Sequence, residues 1–121
     1  ANQGTVAVVA LAGTGGVEAA KTLDDPYTRT ETSIERLLIS NLNAACTTPI
    51  ASFAKFNEDK TQINVTAEVL ACDGSRYVRI DEVIPKNNWK ECAEKLGEKI
   101  AKIGGKELAE EAICYLQNKK K

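Results

Sequence analysis

Hydrophobic positions along this chain change period from segment to segment, and the changes outline its elements. Ile34, Leu37, Leu38 and Leu42 recur at i, i+3, i+4 and i+8, one stripe of a helix, with Glu35, Arg36 and Ser40 largely elsewhere. Thr28 with Glu31, and Thr32 with Glu35, both fit the capping box, so this helix is predicted to start between Asp25 and Thr32. Pro49 holds Thr48 extended, which ends the helix before Cys46 and leaves that cysteine on a short loop of small residues. Ile50 to Phe56 then reads as a strand, followed by the polar turn Asn57-Glu58-Asp59-Lys60. Ile63, Val65, Ala67 and Val69 alternate with Gln62, Asn64, Thr66 and Glu68, a strand with one buried and one wet face. Asp73-Gly74 suits a two-residue hairpin, and a third strand is predicted over Arg76 to Ile84, with Val78, Ile80 and Ile84 inward.

Trp89, Cys92, Ala93, Leu96, Ile100 and Ile103 form a second helical stripe, with Glu91/Lys95 and Glu98/Lys102 as i,i+4 pairs on its other side. Gly104-Gly105 ends it, and a further helix from about Lys106 to Gln117 is expected to bury Leu108, Ala112, Ile113 and Leu116. Cys92 and Cys114 both read as core residues. The predicted architecture is α+β: helix, three antiparallel strands, then helices packed on one face of the sheet.

The start of the chain stands apart. Thr5 to Leu11, TVAVVAL, is an unbroken apolar run rich in β-branched residues, the signature of a strand covered on both faces. Gly13, Gly15 and Gly16 precede a short helix candidate at Val17–Lys21. Strand, glycines and helix suggest a dinucleotide fingerprint, but the position for its third glycine is Glu18 and no second parallel strand follows.

Composition narrows the function classes. A length of 121 residues suits one domain with a modest core, and 16 basic against 17 acidic residues leave a net charge of -1. No global field favours nucleic acid or an anionic membrane. Cysteines at 46, 72, 92 and 114, without a CxxC pair and with no histidine in the chain, argue against a zinc site and against a Cys/His nucleophile. Reduced thiols fit the ordinary composition. No apolar run approaches the roughly 20 residues of a membrane span. The chain contains no methionine and opens directly into a strand pattern, so a processed or excised piece of a longer protein is expected.

Glu35-Arg36, nine residues, Cys46, two residues, then Pro49-Ile50-Ala51 and Phe53-Ala54 resemble the third domain of the porphobilinogen deaminase (hydroxymethylbilane synthase) family. Asn2-Gln3-Gly4 before the apolar run, and Asp73-Gly74 later, fit the family in the same order. The resemblance spans most of this chain but only the C-terminal third or so of a family member. It implies a boundary, with residues 1–25 a connecting strand and helix belonging with preceding domains and residues 26–121 the C-terminal domain.

The resemblance further implies a transferase of tetrapyrrole biosynthesis, with its compartment, cytoplasmic or plastid, left open. Family members join four porphobilinogen molecules head to tail with loss of ammonia, giving hydroxymethylbilane. The growing oligopyrrole is built on a dipyrromethane cofactor bound through a thioether to the loop cysteine, here Cys46. A thiolate is a good nucleophile toward an electrophilic methylene-pyrrole, and the thioether survives each round. Arg36, which matches a family arginine, is implied either as a contact for pyrrole carboxylates or as a helix-packing or ion-pair residue, and the backbone at Ala45 and Thr47 as further carboxylate contacts. The catalytic aspartate lies in the family's other domains, so this chain alone is expected to be inactive, with no catalytic residue and no metal of its own. Ala44-Ala45 stand where two glycines are usual, and Val9 where an acidic residue is frequent. Two other readings compete. The same element order is that of double-stranded-RNA-binding domains, but Lys86 and Lys90 are diluted by Glu91 and Glu94. The other is a purely structural domain.

Overall fold

The computed structural model describes residues 4–42 and 48–119. Along the chain the elements are α1 (Gly15–Lys21), α2 (Pro26–Ser40), β1 (Ile50–Phe56), β2 (Gln62–Leu70), β3 (Tyr77–Pro85), a 3-10 turn (Lys86–Asn88), α3 (Trp89–Ile100), a π turn (Ala101–Gly105) and α4 (Lys106–Lys119). The strands form one antiparallel sheet in the order β1-β2-β3. In its register Val65 lies between Ala54 and Glu82, and Ala67 between Ser52 and Ile80.

Alternation in β2 decides which face is covered. Ile63, Val65, Ala67 and Val69 are all buried and share their face with Ala54, Phe56, Ile80 and Ile84. Against this face pack Ile34, Leu38 and Leu42 from α2 and its end, Ala93, Leu96 and Ile100 from α3, and Leu108 and Ala109 from α4. The opposite face is open to water and carries a cross-strand polar set. There Thr66 donates to Asp81 at 2.6 Å, and Arg79 bonds Asp81 at 2.8 Å and Glu68 at 3.3 Å. Helices on one face of a three-stranded antiparallel sheet is the arrangement expected from the pattern.

Several local expectations are corrected. The strand expected at Thr5–Leu11 is absent from the described residues, because a strand needs a ladder partner and this segment has none. Its side chains stand in solvent, with Val6 88% and Val9 92% exposed, and α1 buries nothing. Neither capping box starts α2. Asp25 does, accepting from the Tyr27 N–H at 3.0 Å and the Thr28 hydroxyl at 3.1 Å, with Pro26 at the first helical position where a missing N–H costs nothing. These bonds, the Thr28 hydroxyl foremost, hold the Asp25 carboxyl below its ordinary range. The β2–β3 connection is longer than a two-residue hairpin: the Ala71 N–H donates to the Arg76 carbonyl at 2.9 Å, and Gly74 takes φ +74° inside the loop. Ile103 is 48% exposed, because Gly104 at φ +120° turns the chain out of α3. Cys114 is exposed on the outer side of α4, whereas Cys92 packs at the edge of the core.

Candidate functional site

The cysteine-bearing stretch runs from α2 to β1, and the structure defines both of its stems. Ala45, Cys46 and Thr47 themselves lie outside the described residues. The leading stem is the end of α2. Asn41 caps the helix, and the fully buried Leu42 donates its N–H to the Ile39 carbonyl at 3.1 Å. The trailing stem is equally tied. Thr48 is buried, the Ile50 N–H donates to the Thr48 carbonyl at 2.8 Å, and the Leu70 N–H donates to the Pro49 carbonyl at 2.9 Å. Five residues, 43 to 47, join stems that are both built into the core.

Arg36 sits on the exposed side of α2, while its neighbour Glu35 is buried. Neither these two nor Thr32 and Thr48 lack an interaction partner. Two bonds fix α2 against β1 along this side. The buried Ser52 hydroxyl donates to the Glu35 carbonyl at 3.1 Å, and the Glu31 carboxylate accepts the Phe56 N–H at 2.9 Å. The second bond occupies an edge-strand donor that would otherwise point at solvent. Beyond it the Tyr27 and Phe56 rings meet edge to face, centroids 5.1 Å apart, with the Lys60 and Lys86 ammonium groups over Tyr27 at 5.1 and 5.4 Å.

A groove between residues 4–8, α2 and β1 is lined by Val6, Leu23, Glu31, Glu35, Phe53 and Lys55 among others. It is at the strand edge, not at the stems. Among the described residues no cluster of three metal-ligating side chains occurs, and no helix is long and apolar enough to cross a membrane. Sequence reasoning missed Glu31 as a strand cap and Gly97 as a contact point, described below. The one available signal was a glycine set inside a strong helical stripe.

A family profile described as "Porphobilinogen deaminase, C-terminal domain" matches residues 30–112. The chain belongs to the porphobilinogen deaminase family. A "Probable porphobilinogen deaminase" of Methanosarcina acetivorans is 50% identical over 115 residues, covering 95% of this chain and 36% of that protein. Its counterpart in Methanococcoides burtonii is 46% identical over 116 residues, covering 96% of this chain and 38% of the relative. A bacterial "Porphobilinogen deaminase" from Campylobacter jejuni is 33% identical over 112 residues, covering 93% of this chain and 36% of its own length. The chain thus spans 36 to 38% of the length of these relatives. The matched region contains α2 from Thr30 onward, the whole sheet, α3 and the first half of α4, with the segment between the two stems inside it.

Proposed function

We propose that this chain is the cofactor-carrying C-terminal part of a porphobilinogen deaminase, which polymerises four porphobilinogen molecules into hydroxymethylbilane with release of ammonia in haem and related tetrapyrrole biosynthesis. The observation that carries the reading is the family match over residues 30–112, which takes in the segment holding Cys46. Cys46 is assigned as the anchor of the dipyrromethane cofactor. The donor set suits such a group: a thiol, with nothing larger than Asn43 between the two stems. Bound there, the cofactor would supply the pyrrole on which the chain grows.

This chain's own residues hold rather than react. Cys46 would hold the group as a thioether: the thiol S–H and the carbon–nitrogen bond of an aminomethyl-pyrrole break, a carbon–sulfur bond forms, ammonia leaves carrying the thiol proton, and the sulfur is then neither acid nor base. Buried Leu42 and Thr48 keep the ends of the segment on the core, so the tether keeps its origin through successive additions. Arg36 and the backbone N–H groups of Ala45 and Thr47 are assigned to the acetate and propionate carboxylates. Residues 1–25 are assigned to the preceding domains of the enzyme, and the bare valines at 6 and 9 support this. The proton transfers are assigned to those domains, so the chain alone forms no tetrapyrrole.

Intact mass and peptide mapping of the full-length enzyme test the reading. An adduct of two pyrrole units on the Cys46 peptide is expected, together with its loss and loss of activity in Cys46→Ser. An unmodified Cys46 in fully active enzyme would refute the assignment. Hydroxymethylbilane made from porphobilinogen by the purified 121-residue chain would refute the division of labour.

A further inference from the structure

Glycine is a poor helix former, so one in the middle of a helix calls for a reason of its own. Gly97 lies inside α3 between buried Leu96 and Ile100. A Cβ at this position would stand 3.1 Å from the Leu37 carbonyl oxygen, 3.3 Å from Asn41 Nδ2 and 3.6 Å from Leu38 Cα. All three atoms belong to the last turn of α2 and its cap. The nearest is backbone, which cannot rotate aside as a side chain can. Gly97 therefore lets the α3 backbone rest directly on the end of α2, and the next residue along, Leu42, opens the stretch to Cys46.

We propose that Gly97 is a positioning residue for the cysteine tether. By seating α3 against Leu37 to Asn41, it sets the height of the leading stem above the sheet, and with it the point from which the Cys46-bound chain extends. The proposal rests on the assignment of Cys46 as cofactor anchor. The rest of α2 is held independently, by the Asp25 cap, by Ser52 on the Glu35 carbonyl and by Glu31 on the Phe56 N–H. Bulk added at Gly97 therefore moves the C-terminal end of α2 more than its beginning. The trailing stem, tied to β2 through Pro49, does not follow. A change in the offset between the two stems displaces what the segment carries while leaving its chemistry intact.

The test is Gly97→Ala in the full-length enzyme, compared with Ala109→Gly, which loosens the core at the fully buried Ala109 of α4 instead of at the α3–α2 contact. Three quantities are read on each: the Cys46 adduct by intact mass, the melting temperature, and kcat and KM per cofactor-loaded molecule. Gly97→Ala is expected to load its cofactor and keep KM, while kcat per loaded molecule falls about three- to tenfold, as a displacement of a few tenths of an ångström would produce in a site where 1 Å costs about a hundredfold. Ala109→Gly is expected to lower the melting temperature with kcat per loaded molecule unchanged. Wild-type kcat in Gly97→Ala, or an equal fall in Ala109→Gly, would overturn the proposal. Should Gly97→Ala fail to fold, Asn41→Ala removes the amide that abuts Gly97 and lets α3 settle closer, shifting the stem in the opposite sense; kcat per loaded molecule is expected to change with KM kept, and an unchanged kcat there overturns the proposal as well. A wild-type enzyme with no pyrrole on Cys46 would instead refute the anchor assignment beneath it.

Discussion

Substituting Gly105 by alanine separates steric crowding from backbone strain. Its added Cβ would lie 2.5 Å from the Ile100 carbonyl oxygen and 3.2 Å from both the Ile100 carbonyl carbon and Cγ1, within the π turn joining α3 to α4. Ordinary contact begins near 3.4 Å, so the turn must open by close to 1 Å, against an Ile100 that is fully buried. Overpacking of this kind costs about 1–3 kcal/mol, opposed by about 0.4–1 kcal/mol from the reduced freedom of the unfolded chain. A net loss of about 2 kcal/mol is expected. With an m-value of about 2 kcal/mol/M, that lowers the urea midpoint by about 1 M in far-UV circular dichroism. Two neighbours calibrate the result. Gly74→Ala, at φ +74° with nothing within 4 Å, has only its backbone to strain and should lose about 1 kcal/mol. Gly104→Ala, at φ +120° with Val78 Cγ1 at an ordinary 3.4 Å, should lose about 1–2 kcal/mol. A Gly105→Ala midpoint at or above that of Gly74→Ala would refute the steric argument.

Three further outcomes follow from contacts described above. Glu31→Ala strips the acceptor from the Phe56 N–H and should cost about 0.5–1.5 kcal/mol, since water can take its place at the sheet edge, with faster hydrogen exchange at the Phe56 amide as the local readout. Asp25, Asp59, Asp73 and Asp81 all have carboxyls held below the ordinary range, by hydroxyl and backbone donors in the first three and chiefly by Arg79 in Asp81. Groups with depressed folded pKa values contribute stability above the unfolded carboxylate range, near pH 4, and lose it as pH falls through the folded values, so the urea midpoint should drop between pH 5 and pH 2. Lys95 and Lys119 are shifted upward, and their contribution should persist until the pH rises past the lysine range. Maleimide labelling followed by peptide mapping should modify the exposed Cys72 and Cys114 ahead of the half-buried Cys92.

The sheet was legible chiefly through its central strand, which keeps a strict period: Ile63, Val65, Ala67 and Val69 name both the strand and its buried face. The α2 stripe was legible for the same reason, but its start was not. Thr28, Thr32 and Asp25 are all chemically able to cap, and the choice of Asp25 depends on Pro26 beginning the helix beside it. Cys114 misled because α4 buries a narrow stripe of Leu108, Ala109 and Ala112, and one step around the helix brings a small residue into solvent. At the site, the residue types and spacing around Cys46 carried the family. The stems could not be read in advance, since Leu70 binding Pro49 and Gly97 meeting Leu37 join positions far apart in sequence.

The bare run from Thr5 to Leu11 also bears on how the chain behaves in solution. It has no charge and no proline, and five of its seven residues are β-branched or leucine, the makeup of a segment that readily adds to a sheet. The same chain offers such a sheet, whose order leaves β1 and β3 as edges, with Glu31 guarding only one end of β1. An extended apolar run and an open sheet edge in one molecule are complementary between molecules. Without a cover for this run the polypeptide is expected to self-associate, read as concentration-dependent light scattering that deletion of residues 5–11 abolishes.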